Sequence, residues 1–128
     1  MPGDEEDFWP RIEDVEDVTS PIVILRKHAA PLWDKSGHLI NAEVQTRAGS
    51  DGTFVHTFNL TVPALEGYTY ELFEVRHGIE SYPVWQLDEY RRRTEFAGED
   101  EFTAWIKSVL SSEKTKKVLS TLLQQARR

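Results

Sequence analysis

The chain has 128 residues, with 15 Lys and Arg against 22 Asp and Glu, four His and no Cys. This length suits one domain. The absence of cysteine excludes disulfides, thiolate nucleophiles and cysteine-held zinc or iron–sulfur centres, and no apolar run approaches the roughly 18–20 residues of a membrane span.

The net charge of −7 is confined to the first residues. Asp4, Glu5, Glu6, Asp7, Glu13, Asp14, Glu16 and Asp17 face a single base, Arg11, while the rest of the chain holds fourteen acids and fourteen bases. Residues 1–18 therefore read as an acidic, flexible leader, and residues 19–128 as a single α+β domain. The opening MPGDEEDFWP is acidic where a signal peptide would be basic and then apolar, which predicts a cytoplasmic protein. Phe8, Trp9 and Ile12 stand among the acids of the leader. A solvating tail needs no such side chains, and they suit anchors that dock on a basic protein surface.

Ser20-Pro21 predicts a helix start, since Ser is a good N-cap and Pro suits the first helical position. Ile22, Leu25, Ala29 and Leu32 follow on one face, Pro31 predicts a kink or an end near Ala30, and Gly37 a stop. Ile40, Ala42 and Val44 then alternate with Asn41, Glu43 and Gln45, which predicts a half-buried strand. Gly49-Ser50-Asp51-Gly52 reads as a turn into the cleanest alternation of the chain, Phe54, His56, Phe58, Leu60 and Val62. The next run, Tyr68–His77, places Tyr68, Tyr70 and Leu72 on one face but Phe73 and Val75 on the other. That switch predicts a central strand covered on both faces, with Glu71 and Glu74 pointing to opposite sides. A fourth strand follows Pro83 and exposes an aromatic edge near Trp85. Residues 88–95 read as a polar connector. Gly98 before Glu99-Asp100-Glu101 predicts a helix start, and Ser111-Ser112 a break and second cap. The fold class predicted is α+β: an N-terminal helix, a four-stranded antiparallel meander, and two C-terminal amphipathic helices packed on one sheet face.

No run of residues forms a recognised catalytic, phosphate-binding or metal motif. His56 lies on the apolar face of its strand, with His77 and Glu74 on the next. These could form an acid–base pair in a pocket with Tyr70, but a hydrogen-bonded core histidine is the better-supported reading. Arg91-Arg92-Arg93 beside Tyr90 has the makings of a phosphate contact. Its acidic flanks Asp88, Glu89 and Glu95 and the acidic chain argue against nucleic acid.

No cofactor is called for. The expected function is a non-catalytic protein-binding module, an adaptor or an inhibitory partner of the immunity or antitoxin type. It would engage a basic protein surface through Phe8, Trp9, Ile12, Trp85, Arg91, Arg92 and Arg93. The alternatives are a small-molecule binder or small hydrolase using His56, His77 and Tyr70 in a pocket between sheet and helix, and a self-assembling homodimer.

Overall fold

A computed structural model describes residues 7–15 and 20–127. Of the leader only residues 7–15 can therefore be described; residues 1–6 and 16–18 lie outside the described residues. Within it, Ile12–Val15 forms one helical turn, α1.

Helix α2 spans Pro21–Ala29, with Pro21 in its first turn, and buries Ile24, Leu25 and Ala29. Ser20 caps through its backbone carbonyl, which accepts from Ile24 N at 3.2 Å, rather than through its hydroxyl. Pro31 ends α2 instead of kinking it. It becomes the residue before a second short helix, α3, Leu32–Lys35. Gly37 (φ +68°) and His38 (φ +64°) then turn the chain through the left-handed region. The buried Ser36 hydroxyl pins that turn, accepting from Ile40 N at 3.0 Å and Leu39 N at 3.3 Å.

Five strands follow: β1 Asn41–Ala48, β2 Phe54–Val62, β3 Tyr68–His77, β4 Val84–Leu87 and β5 Arg93–Phe96. They form one antiparallel sheet in the order β1-β2-β3-β4-β5. The meander is as expected, with a strand more than its sequence suggests. β5 hides among charges because Arg93 and Glu95 lie on the uncovered face, where Glu95 pairs with Trp85 and Arg93 with Leu87. The turn before it is closed by Asp88, whose Oδ1 accepts from Tyr90 N at 2.9 Å and Arg92 N at 2.8 Å.

The face switch in β3 proves to be a β-bulge. Phe58 pairs with Phe73 and Asn59 with Glu71, so Leu72 is an extra residue. The bulge cancels the change of phase. Tyr68, Tyr70, Phe73, Val75 and His77 all share the face of Phe54, His56, Phe58, Leu60 and Val62. The strand is therefore not covered on both sides, and Glu71 and Glu74 lie on the same face, opposite Asn59 and Thr57.

Helix α4, Glu99–Leu110, and helix α5, Glu113–Ala126, cover the apolar face together with α2. The Glu101 carboxylate accepts from Ala97 N at 2.6 Å at the start of α4, and Ser112 Oγ accepts from Thr115 N at 3.2 Å at the start of α5. Phe102 and Ile106 are fully buried. Trp105 meets Phe73 edge-on with ring centroids 4.9 Å apart, and Phe58 stacks on Phe73 at the same distance. No described helix is long and apolar enough to cross a membrane.

Candidate functional site

The sheet brings together two of the four histidines. His56 pairs in register with Val75, one pleat from His77, on the helix-covered face. Their Nε2 atoms are 2.7 Å apart, and only 3% of His56 and 8% of His77 is exposed. Glu74 takes no part, since it occupies the opposite face.

The partners at either end fix which nitrogen carries which hydrogen. Gly78 O can only accept, so His77 Nδ1–H donates to it at 2.7 Å. A neutral His77 then offers a lone pair at Nε2, and His56 Nε2–H donates to it. His56 Nδ1 is left to accept from the Thr46 hydroxyl at 2.8 Å. The result is a directional row, Thr46 to His56 to His77 to Gly78, with every buried polar atom used. Burial pushes the His56 imidazole down to about 4, and the neighbouring His77 and the charge of Arg26 act in the same direction.

This arrangement is poor acid–base or metal chemistry. Both inner nitrogens are spent on each other, and Phe54 stacks on the outer side of His77 with centroids 5.4 Å apart. Two nitrogens on one zinc ion at about 2.0–2.1 Å each would need to stand well over 3 Å apart in a tetrahedral site. Among the described residues no group of three or more His, Asp or Glu side chains could hold a metal ion. The main clefts are lined by other residues. Tyr70 borders a shallow groove against Lys117, Val118, Thr121 and Leu122 of α5, apart from both histidines.

A largely apolar cleft of about 310 Å³ lies elsewhere, over the sheet between α2–α3 and the α4–α5 pair. It is walled by Leu32, Phe58, Leu60, Leu72, Leu110 and Leu119, with His28 and Lys35 at its rim. Sequence reasoning missed it, because each of these leucines reads singly as a core position.

The arginine triplet is taken apart by its turn. Arg91 adopts a left-handed conformation (φ +62°). Arg92 lies over the Tyr90 ring at 5.3 Å and pairs with Asp88 at 3.4 Å. Arg93 lies over the Trp85 ring at 4.1 Å and meets Glu95 at 2.6 Å. Trp85 is not at a sheet edge, because β5 pairs outside it; it is half-buried.

The leader residues behave differently. Phe8 is 93%, Trp9 85% and Ile12 72% exposed. The Asp7 carboxylate accepts from Trp9 N at 3.0 Å, and Arg11 pairs with Asp14 at 3.5 Å, so the local bonds stay within the segment. Phe8, Ile12 and the half-exposed Val15 follow the i, i+4, i+7 spacing of one helical face.

Fold and site thus define an α+β domain bearing an apolar-tipped acidic segment. Comparison with family models, curated proteins and solved structures gave no match.

Proposed function

We propose that this chain is a non-catalytic protein-binding module, an adaptor or inhibitory partner that captures a basic-rimmed apolar groove on another protein. The observation that carries this reading is the exposure of Phe8, Trp9 and Ile12 among acidic neighbours. Free in water, two aromatic rings and an isoleucine gain nothing; in a groove each contributes burial of the kind that dominates interface energetics. The acids would steer the segment to a positive surface and set its orientation there. The histidine row supports the same reading from the other side, since it is packed and internally satisfied rather than open to a substrate. Binding would extend α1 back to Pro10, which suits the first helical position, with Phe8 and Trp9 just before it.

The test is a paired capture from host lysate with the full chain and with its Phe8→Ala/Trp9→Ala/Ile12→Ala variant. A partner held by the first and lost by the second supports the module. A partner held equally by both, or none held by either, overturns it.

A second reading, small-molecule binding, is favoured by the leucine-walled cleft rather than by the histidines. Its rim of His28 and Lys35 suits an apolar ligand ending in an acid group.

A further inference from the structure

β1 is an outer strand. It pairs with β2 along all eight residues and has no described strand on its other side. From Gln45 to Ala48 it is exposed on both faces, and it holds no proline or glycine. Sheets usually block such an edge with brevity, bulges, proline or charges that repel a second strand. The opposite edge, β5, is blocked in this way: it has four residues, and Arg93 is committed to Trp85 and Glu95. β1 carries only Glu43 and Arg47, and these two attract.

We propose that β1 pairs antiparallel with β1 of a second copy of this chain, about a twofold axis through Gln45, joining two five-stranded sheets into one of ten strands. Such an axis, perpendicular to the sheet, keeps both helical layers on the same side. Residues set opposite each other must then share a face, and the register must centre on a residue. Centred on Gln45, Glu43 of each copy meets Arg47 of the other, and the two Gln45 amides meet on the axis. On the helix-covered face Val44 meets Thr46 and Ala42 meets Ala48. Centred on Val44, Glu43 meets Gln45 and Arg47 meets Asn41; centred on Thr46, Arg47 meets Gln45 and Glu43 meets Gly49. Of these three registers, only the first forms two opposite-charge pairs.

Arg47 must turn outward to serve, away from Glu74 on β3. It meets Glu74 at 3.0 Å, yet 61% of its side chain is exposed, so the dimer would exchange this exposed ion pair for one with Glu43 of the second copy. The contact is isologous, so it closes at two copies. An edge of eight residues buries little surface, which places the dimer at the weak end of specific association. The acidic leader takes no part, so this inference stands apart from the function proposed above.

The experiment is sedimentation velocity of the full chain from micromolar to near-millimolar concentration. A concentration-dependent dimer is expected. Arg47→Glu alone, or Glu43→Arg alone, sets like charges opposite at both positions and weakens dimerisation by roughly tenfold. The double exchange, Glu43→Arg with Arg47→Glu, restores it. The Phe8→Ala/Trp9→Ala/Ile12→Ala variant dimerises as the parent chain does. A monomer at every concentration, a dimer indifferent to the single exchanges, failure of the double exchange to rescue, or loss of the dimer with the leader variant would each overturn the proposal.

Discussion

The two faces of the sheet are held by different physics. On the covered face, Phe58, Leu60, Val62, Phe73 and Val75 lose nearly all contact with water beneath α2, α4 and α5. On the bare face one aliphatic side chain is equally dry, Val55 at 0% exposure. Its cross-strand neighbours are Arg47 and Arg76, whose guanidinium groups converge on Glu74 at 3.0 and 3.7 Å. Long arginine stems can roof a valine while their charged heads stay in water. A face therefore needs no helix to exclude water locally, but the strength of the two covers should differ widely.

Phe58→Ala strikes the covered face hardest. The ring is fully buried and stacked on Phe73, so its loss should cost about 3–5 kcal/mol in denaturant unfolding. Acid comes next. Between pH 6.5 and about 4 the unfolded chain takes up a proton at His56 that the folded chain refuses. Stability at this site is thus complete above pH 6.5 and is lost as pH falls towards 4, by about 3 kcal/mol in all. Unfolding curves across that window should show the loss, and a His56→Gln variant should show a smaller slope. The bare face gives the smallest effect. Glu74→Gln should cost about 1 kcal/mol or less, and 1 M salt should erase most of it. A cost near that of Phe58→Ala would mean that the arginine roof is a core in its own right.

The element boundaries were largely legible because they rest on local chemistry. Pro21, Gly98 and Ser112 mark the starts of α2, α4 and α5, and the alternation from Phe54 to Val62 marks β2. What the sequence hid depends on pairing between distant residues. Leu72 breaks the alternation of β3, and a break in phase reads equally as a two-sided strand or as a bulge. Only the partner strand decides, and with it the side on which Glu71 and Glu74 stand. The loss of β5 has a similar cause: Arg93-Thr94-Glu95 looks like a connector until Trp85 and Gln86 lie beside it. For the candidate site, the prominence of Phe8, Trp9 and Ile12 could be read directly, since it needs only apolar residues set among acids. The contact between His56 and His77 could be suspected from their faces. Its hydrogen-bond direction could not, because that is set by the hydroxyl of Thr46 and the carbonyl of Gly78.

That direction has a consequence for how the molecule takes up a proton. Only one hydrogen fits between the two facing nitrogens, so the pair can gain one charge but not two. To gain it, His56 must carry hydrogen on Nδ1, and Thr46 must turn from donor to acceptor. Thr46 is the exposed end of the row, on the outer strand, so solvent can hand a proton to His56 Nδ1 once the hydroxyl rotates away, and the hydroxyl then accepts from the new N–H. Rotation of this kind takes picoseconds to nanoseconds at an exposed side chain. Protonation of the buried ring therefore asks for the turn of one exposed hydroxyl rather than the opening of the sheet.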